Sequence, residues 1–215
     1  MTTKKEINWA SELQPLIKKY CGRKYPLNYH NNYELLVMVL LRAQDSIKHI
    51  NQVTPALFKA FPSMGDLAQA KVSELNKLIG MVRNFANKTK WLLTVAKTVR
   101  SDANIPTTLE GLTALPGIGR MSANIIIREI GGKAEGIIVD LHALRVVPRL
   151  GIESVTDPKK VESRLMIEIP QKDWNEIGMS LSMLGQEICR PTNPMCPECL
   201  LNNICDFYAQ EKKPK

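Results

Sequence analysis

An all-α fold is predicted for this chain, and three observations predict it. Apolar residues recur at helical spacing in one segment after another, and no period-two alternation runs long enough to make a sheet. The stretch YELLVMVLLRAQ, Tyr33 to Gln44, is apolar nearly all round, as befits a helix in the middle of a helical domain.

Taken in order, residues 4 to 20 carry Ile7, Leu13, Leu16 and Ile17 at helical spacing, which predicts an amphipathic helix interrupted near Pro15. A polar loop, 21 to 32, leads to the Tyr33–Gln44 helix, whose polar end (Arg42, Ala43, Gln44) faces solvent or a ligand. Ile47, Ile50, Val53, Leu57 and Phe61 predict a helix that the turn Pro62 to Asp66 closes. Leu67 to Leu78 predicts another, which Gly80 interrupts, and Met81 to Ala86 reads as a short exposed loop with large apolar side chains. Helical spacing resumes over Trp91 to Val99, and Pro106, Thr107 and Thr108 start a helix that runs toward Leu115. After it come a turn, a helix and a short extended run. LHALRVV is then helical until Pro148, further helices are predicted around 161 to 169 and 174 to 189, and a Lys-rich tail follows. The total is roughly ten helices with no internal repeat.

With 215 residues and 44% apolar content, the chain can bury its core without covalent staples. A net charge of +8 and a pI near 9.3 favour a polyanionic partner, and six basic residues with no acid lie between Leu75 and Ser101: Lys77, Arg83, Lys88, Lys90, Lys97 and Arg100. The N-terminus lacks the apolar core of a signal peptide, and the longest strongly apolar run, Leu35 to Leu41, is far too short to span a bilayer. A cytoplasmic, reducing location with no membrane partner is the expectation, so the five cysteines are not read as disulfides.

The chemistry-bearing stretch is Leu115 to Arg145. Pro116, Gly117, Ile118 and Gly119 form a tight turn before a helix, where backbone N–H groups can approach an anion, and a phosphate is the obvious one. Asp140 follows 21 residues after Gly119, at the end of the apolar run Ile137 to Val139. A carboxylate near an anion-binding turn suggests chemistry on a phosphate-bearing polymer. Cys189, Cys196, Cys199 and Cys205 give C-x6-C-x2-C-x5-C. Four thiolates bind zinc or an iron–sulfur cluster, and so compact a run with a single C-x-x-C pair suits [4Fe-4S] better than a zinc ribbon. Cys21 stands apart as a buried or half-buried thiol.

Together, YELLVMVLLRAQ, LPGIGRMSAN, IIVDLHALRV and the four-cysteine spacing resemble, in order and over nearly the whole chain, the helix-hairpin-helix (HhH-GPD) DNA glycosylases of the endonuclease III branch. The resemblance implies two helical lobes with a DNA-binding cleft: a six-helix barrel over residues 22–132, and a second lobe joining 1–21 to 133–215 and holding a [4Fe-4S] cluster. It implies a monomer, nucleoid-associated in a prokaryote, that acts on double-stranded DNA containing a damaged or mismatched base. Gly117, Gly119 and Arg120 would hold phosphate, Gln44 would fill the space left by the extruded nucleotide, and Met81, or failing it Val82 or Phe85, would wedge into the opposite strand. Asp140 corresponds to the catalytic aspartate and would stabilise charge on the sugar and activate water. It is also placed to cap the following helix. Arg145 is a further phosphate contact, and His142 is structural.

One position departs from the pattern. Where bifunctional members carry a lysine after Gly-x-Gly-Arg, this chain has Met121, whose thioether cannot form an imine. The expectation is therefore a monofunctional glycosylase. The alternatives are a lyase-competent relative using a displaced amine such as Lys133 or Lys90, and a lesion-binding protein with reduced catalysis. Val37, where the adenine-mismatch branch would carry an acid, and the short stretch after the cysteines point away from that branch. Oxidised pyrimidines, mismatched uracil or thymine, and alkylated purines remain as substrates.

Overall fold

The computed structural model describes residues 7–211, and within them thirteen α-helices, three short 3-10 turns and no strand. Lys4 to Glu6 of the first expected helix and the end of the Lys-rich tail lie outside the described residues. The chain divides into two units, one spanning Lys24–Gly132 and the other combining the residues up to Arg23 with those from Lys133 onward.

In the discontinuous unit, α1 (Trp9–Glu12) and α2 (Gln14–Tyr20) are separate helices because Pro15 opens the second, where its missing N–H is harmless. The continuous unit is built round α3 (Asn32–Arg42). Asn31 caps it by accepting the Glu34 N–H at 2.8 Å, and Tyr33 and Leu35 through Leu41 are all buried. Each such side chain contributes about 1.5–3 kcal/mol relative to exposure. Tyr33 meets Phe58 edge-on with ring centres 5.6 Å apart and donates its hydroxyl to the Phe61 carbonyl at 2.6 Å, which ties α3 to the end of α4 (Ile47–Ala60).

The single helix expected over Leu67–Leu78 is two. α5 (Met64–Ala68) ends at Gln69, and α6 (Val72–Ile79) starts afresh because the Glu74 carboxylate accepts the Lys71 N–H at 3.0 Å. α7 (Phe85–Val99) begins six residues earlier than the apolar spacing indicates, so the exposed loop shrinks to residues 80–84. α8 (Leu109–Thr113), capped by Thr108, and α9 (Arg120–Glu129) form the hairpin.

In the discontinuous unit, α10 (Ala143–Leu150) runs through Pro148 to a left-handed Gly151, one turn further than expected. α11 (Pro158–Glu168), α12 (Trp174–Glu187) and α13 (Asp206–Glu211) complete the chain. Its core joins Leu13, between the N-terminal helices, and Leu16 and Tyr20 of α2 to Val146, Val147, Leu181 and Leu184. Near its margin, Glu187 accepts from the Tyr20 hydroxyl at 2.8 Å and from Arg23 at 2.6 Å. Among the described residues no helix is long and apolar enough to cross a membrane.

Candidate functional site

Four groups of residues carry the expected chemistry, two in each unit. In the continuous unit, Gly117 adopts φ 83°, and a Cβ there would stand 2.7 Å from the Trp91 ring, so both backbone and packing demand glycine. Gly119 differs. It caps α9 in an ordinary extended conformation, and a Cβ on it would meet nothing within 4 Å. No side chain caps this helix start, which stands beside the exposed Arg120. Met121, the second residue of α9, is half-buried.

The second group joins the two expected insertion residues. Gln44 is exposed and, like few non-glycine residues, left-handed, with φ 62°. Met81 is 82% exposed, whereas its neighbour Val82 is buried and its N–H bonds to Ile79. Asp45 links the two segments: one carboxylate oxygen accepts the Arg83 N–H at 2.9 Å, and the other pairs with His49 at 2.7 Å and accepts the Ser46 N–H. Burial by itself would push the Asp45 carboxyl up, but the Arg83 N–H, His49 and the Ser46 N–H outweigh it and hold it below the ordinary range.

Lys88 does not belong to the solvated basic field in which its sequence neighbourhood places it. It is 1% exposed, and its ammonium donates to the Leu41 and Ala43 carbonyls, both at 2.6 Å. Burial pulls its pKa down. Lys77, Arg83, Lys90, Lys97 and Arg100 remain exposed.

In the discontinuous unit, the run before Asp140 lies close against α12. A Cβ at Gly178 would stand 2.5 Å from the Ile138 carbonyl, and one at Gly185 would stand 2.8 Å from the His142 Cβ. Between them on the same face, Ser182 is 2% exposed and donates its hydroxyl to Asp140 Oδ2 at 2.6 Å; Gln186 donates to Ser182 in turn. Asp140 Oδ1 accepts the N–H groups of His142 and Ala143, both at 2.9 Å. The carboxylate thus caps α10 and is fixed by three donors, which leaves a lone pair on Oδ2. Ser182 lies in no motif of the sequence; the small residues at 178, 182 and 185 are the signal for close approach to α12 that could have found it.

Arg145 does not face outward as a phosphate contact should. Its guanidinium donates to the carbonyls of Gly185 at 2.8 Å and Cys189 at 3.0 Å and lies 3.2 Å from His142 Nδ1, bracing α10 on α12. Cys21, expected to be buried or half-buried, is exposed.

The other four cysteines line one cavity together with Val146, Leu150, Leu184 and Phe207. Among the described residues no three metal-ligating side chains converge as for a single ion; the thiols instead surround a space. Burial pushes the Cys196, Cys199 and Cys205 thiols up, and the neighbouring Cys189 raises each of them further, so they ionise together only around a cation. Arg149 supplies a donor to this set: it lies 3.4 Å from Cys189 Sγ and stacks 4.4 Å from the Phe207 ring centre. The donor chemistry fits an iron–sulfur cluster.

Residues 37–171 match the model of the HhH-GPD superfamily of base excision DNA repair proteins. Endonuclease III of Synechocystis sp. is 35% identical over 208 residues, 95% of this chain and 94% of that protein. Endonuclease III of Bacillus subtilis is 33% identical over 87% of each chain. Among solved structures, a trapped endonuclease III–DNA covalent intermediate with an estranged adenine superposes with a TM-score of 0.84, at 28% identity, over 99% of this chain and 100% of that one.

Proposed function

Because the chain belongs to the HhH-GPD superfamily of base excision DNA repair proteins, in its endonuclease III branch, we propose how this DNA glycosylase carries out its reaction. It acts on double-stranded DNA containing a damaged or mismatched base, as a cytoplasmic monomer, and hydrolyses the N-glycosidic bond of the extruded nucleotide. The uncapped start of α9 at Gly119, together with Arg120, holds a backbone phosphate without reading sequence. Gln44 fills the vacated place and Met81 wedges the opposite strand.

Bond cleavage develops positive charge on the sugar, and Asp140 stabilises it. Three donors fix this carboxylate before substrate arrives, so no reorganisation is needed during the step. The remaining lone pair on Oδ2 takes the proton of the attacking water. Cys189, Cys196, Cys199 and Cys205 hold a [4Fe-4S] cluster, with Arg149 donating to Cys189. When bound, the cluster cross-links the loop that Arg145 and Arg149 attach to α10.

The observation that carries the hydrolytic reading is Met121, which occupies the position of the bifunctional members' lysine by the match of LPGIGRMSAN to the family hairpin. The relatives' name, Endonuclease III, favours the second reading, a combined glycosylase and lyase. That chemistry here requires another amine. Lys90 and Lys133 are exposed, whereas the Lys88 amine is committed to two carbonyls. Incubation with lesion-bearing duplexes under borohydride, with parallel gels run before and after hot alkali, decides between them. Strand breaks that need alkali, with no covalent complex, support hydrolysis; breaks without alkali and a trapped complex establish the lyase; intact strands with retained binding leave a lesion binder.

A further inference from the structure

We propose that Lys88 and Asp45 are positioning residues that lock Gln44 and the Met81 loop into one rigid two-pronged element for insertion into duplex DNA; this rests on the insertion roles given above to Gln44 and Met81.

Lys88 sits where an ordinary sequence would not put a lysine. It lies in the first turn of α7, whose partial positive charge repels a cation, and it is fully buried. Both penalties are offset by one contact set. The carbonyls of Leu41 and Ala43 belong to the C-terminal end of α3, where the last carbonyls lack intrahelical partners and the dipole favours a cation. The ammonium therefore bonds the start of α7 to the end of α3, one residue before Gln44. Left-handed backbone at a non-glycine residue persists only where its surroundings over-determine it. Lys88 anchors the residue before Gln44, and the Asp45 N–H bonded to the Arg42 carbonyl at 2.8 Å anchors the residue after it.

The second prong is held from the same point. Asp45 accepts the Arg83 N–H two residues beyond Met81, and buried Val82 lies between. Left-handed Asn84, bonded to Asn87, then turns the chain into α7, which returns to Lys88. The circuit runs from Lys88 to Ala43, past Gln44 to Asp45, across to Arg83 and back along α7. The exposed Gln44 and Met81 side chains project from this circuit, which is the arrangement preorganised insertion requires.

The test compares affinity for a duplex holding a tetrahydrofuran abasic analogue with affinity for the same duplex undamaged. Gln44→Ala, Met81→Ala, Lys88→Met and Asp45→Asn are measured with full-length, cluster-containing protein, and thermal melting is followed throughout. Lys88→Met and Asp45→Asn each lower the preference for the tetrahydrofuran duplex about tenfold, with affinity for the undamaged duplex little changed, and Lys88→Met loses no more when Gln44→Ala is added. Full preference in folded Lys88→Met, or additive losses with Gln44→Ala, overturns the inference. Should Lys88→Met not fold, Asp45→Asn combined with Met81→Ala measures the same coupling: non-additive losses support the locked element and additive losses overturn it. If Gln44→Ala and Met81→Ala themselves leave the preference intact, the insertion reading fails instead.

Discussion

The Ser182 hydroxyl donates to Asp140 Oδ2 at 2.6 Å across 42 residues of sequence, and Gln186 donates to the Ser182 oxygen at 3.1 Å. Because Gln186 occupies a serine lone pair, the single hydroxyl proton is directed at the carboxylate. Ser182→Ala is expected to lower kcat for base release about tenfold with KM and melting temperature little altered, and Ser182→Thr to retain most activity. Asp140→Asn should lose about a hundredfold or more while still binding lesion duplex. Normal turnover in Asp140→Asn would remove the acid from the chemistry altogether.

Under the proposed match of LPGIGRMSAN to the family hairpin, Met121→Lys places an amine at the lyase position. A borohydride-trapped protein–DNA complex and alkali-independent strand breaks are expected from this variant in excess of any that the parent chain gives. No gain over the parent would mean that position 121 is not what separates hydrolysis from lyase chemistry here.

The two hairpin glycines should part company. Gly117→Ala forces a methyl to within 2.7 Å of Trp91 at φ 83° and should destabilise the fold by about 1–3 kcal/mol, read as a lower melting temperature. Gly119→Ala meets no neighbour and suits its backbone, so melting should hold or rise slightly. Its affinity for undamaged duplex should fall, because the methyl stands at the helix start proposed to hold the phosphate. Unchanged affinity would move the phosphate elsewhere.

Asp45 makes stability depend on acid. Its carboxyl titrates below the ordinary 3.8, so the stabilisation it supplies is complete above that value and is lost as pH falls through the depressed folded-state pKa. The melting-temperature gap between the parent chain and Asp45→Asn should be full at neutral pH and shrink only below 3.8. A gap that closes well above this value would show that the contact with Arg83 does not hold the charge.

Cys199→Ser should leave a paler protein than the brown parent, with a lower melting temperature, since cluster binding is coupled to folding of its loop. Arg149→Ala keeps all four thiols but removes the donor to Cys189, and should yield a brown protein that bleaches faster in air. A colourless, zinc-containing parent would replace the iron–sulfur assignment.

Features that depend on near neighbours in the chain were legible without coordinates. The helical spacing of apolar residues, the buried run Leu35 to Leu41, the glycine turn before α9 and the four thiols of one short segment all carry their meaning within a few residues. Asp140 was marked by its place between an extended run and a helix, and its capping bonds are local. What the tertiary structure alone decided involves partners remote in sequence. Lys88 looks like any solvated lysine until α3 brings two carbonyls to it from 45 and 47 residues away. Arg145 looks like a phosphate contact until α12 turns it inward, and Ser182 is unremarkable until Gly178 lets the Asp140 segment lie against its helix. Local spacing sets which residues can form a helix or carry a charge; whether a polar group faces water, a carbonyl or a carboxylate is set by which distant segment packs over it.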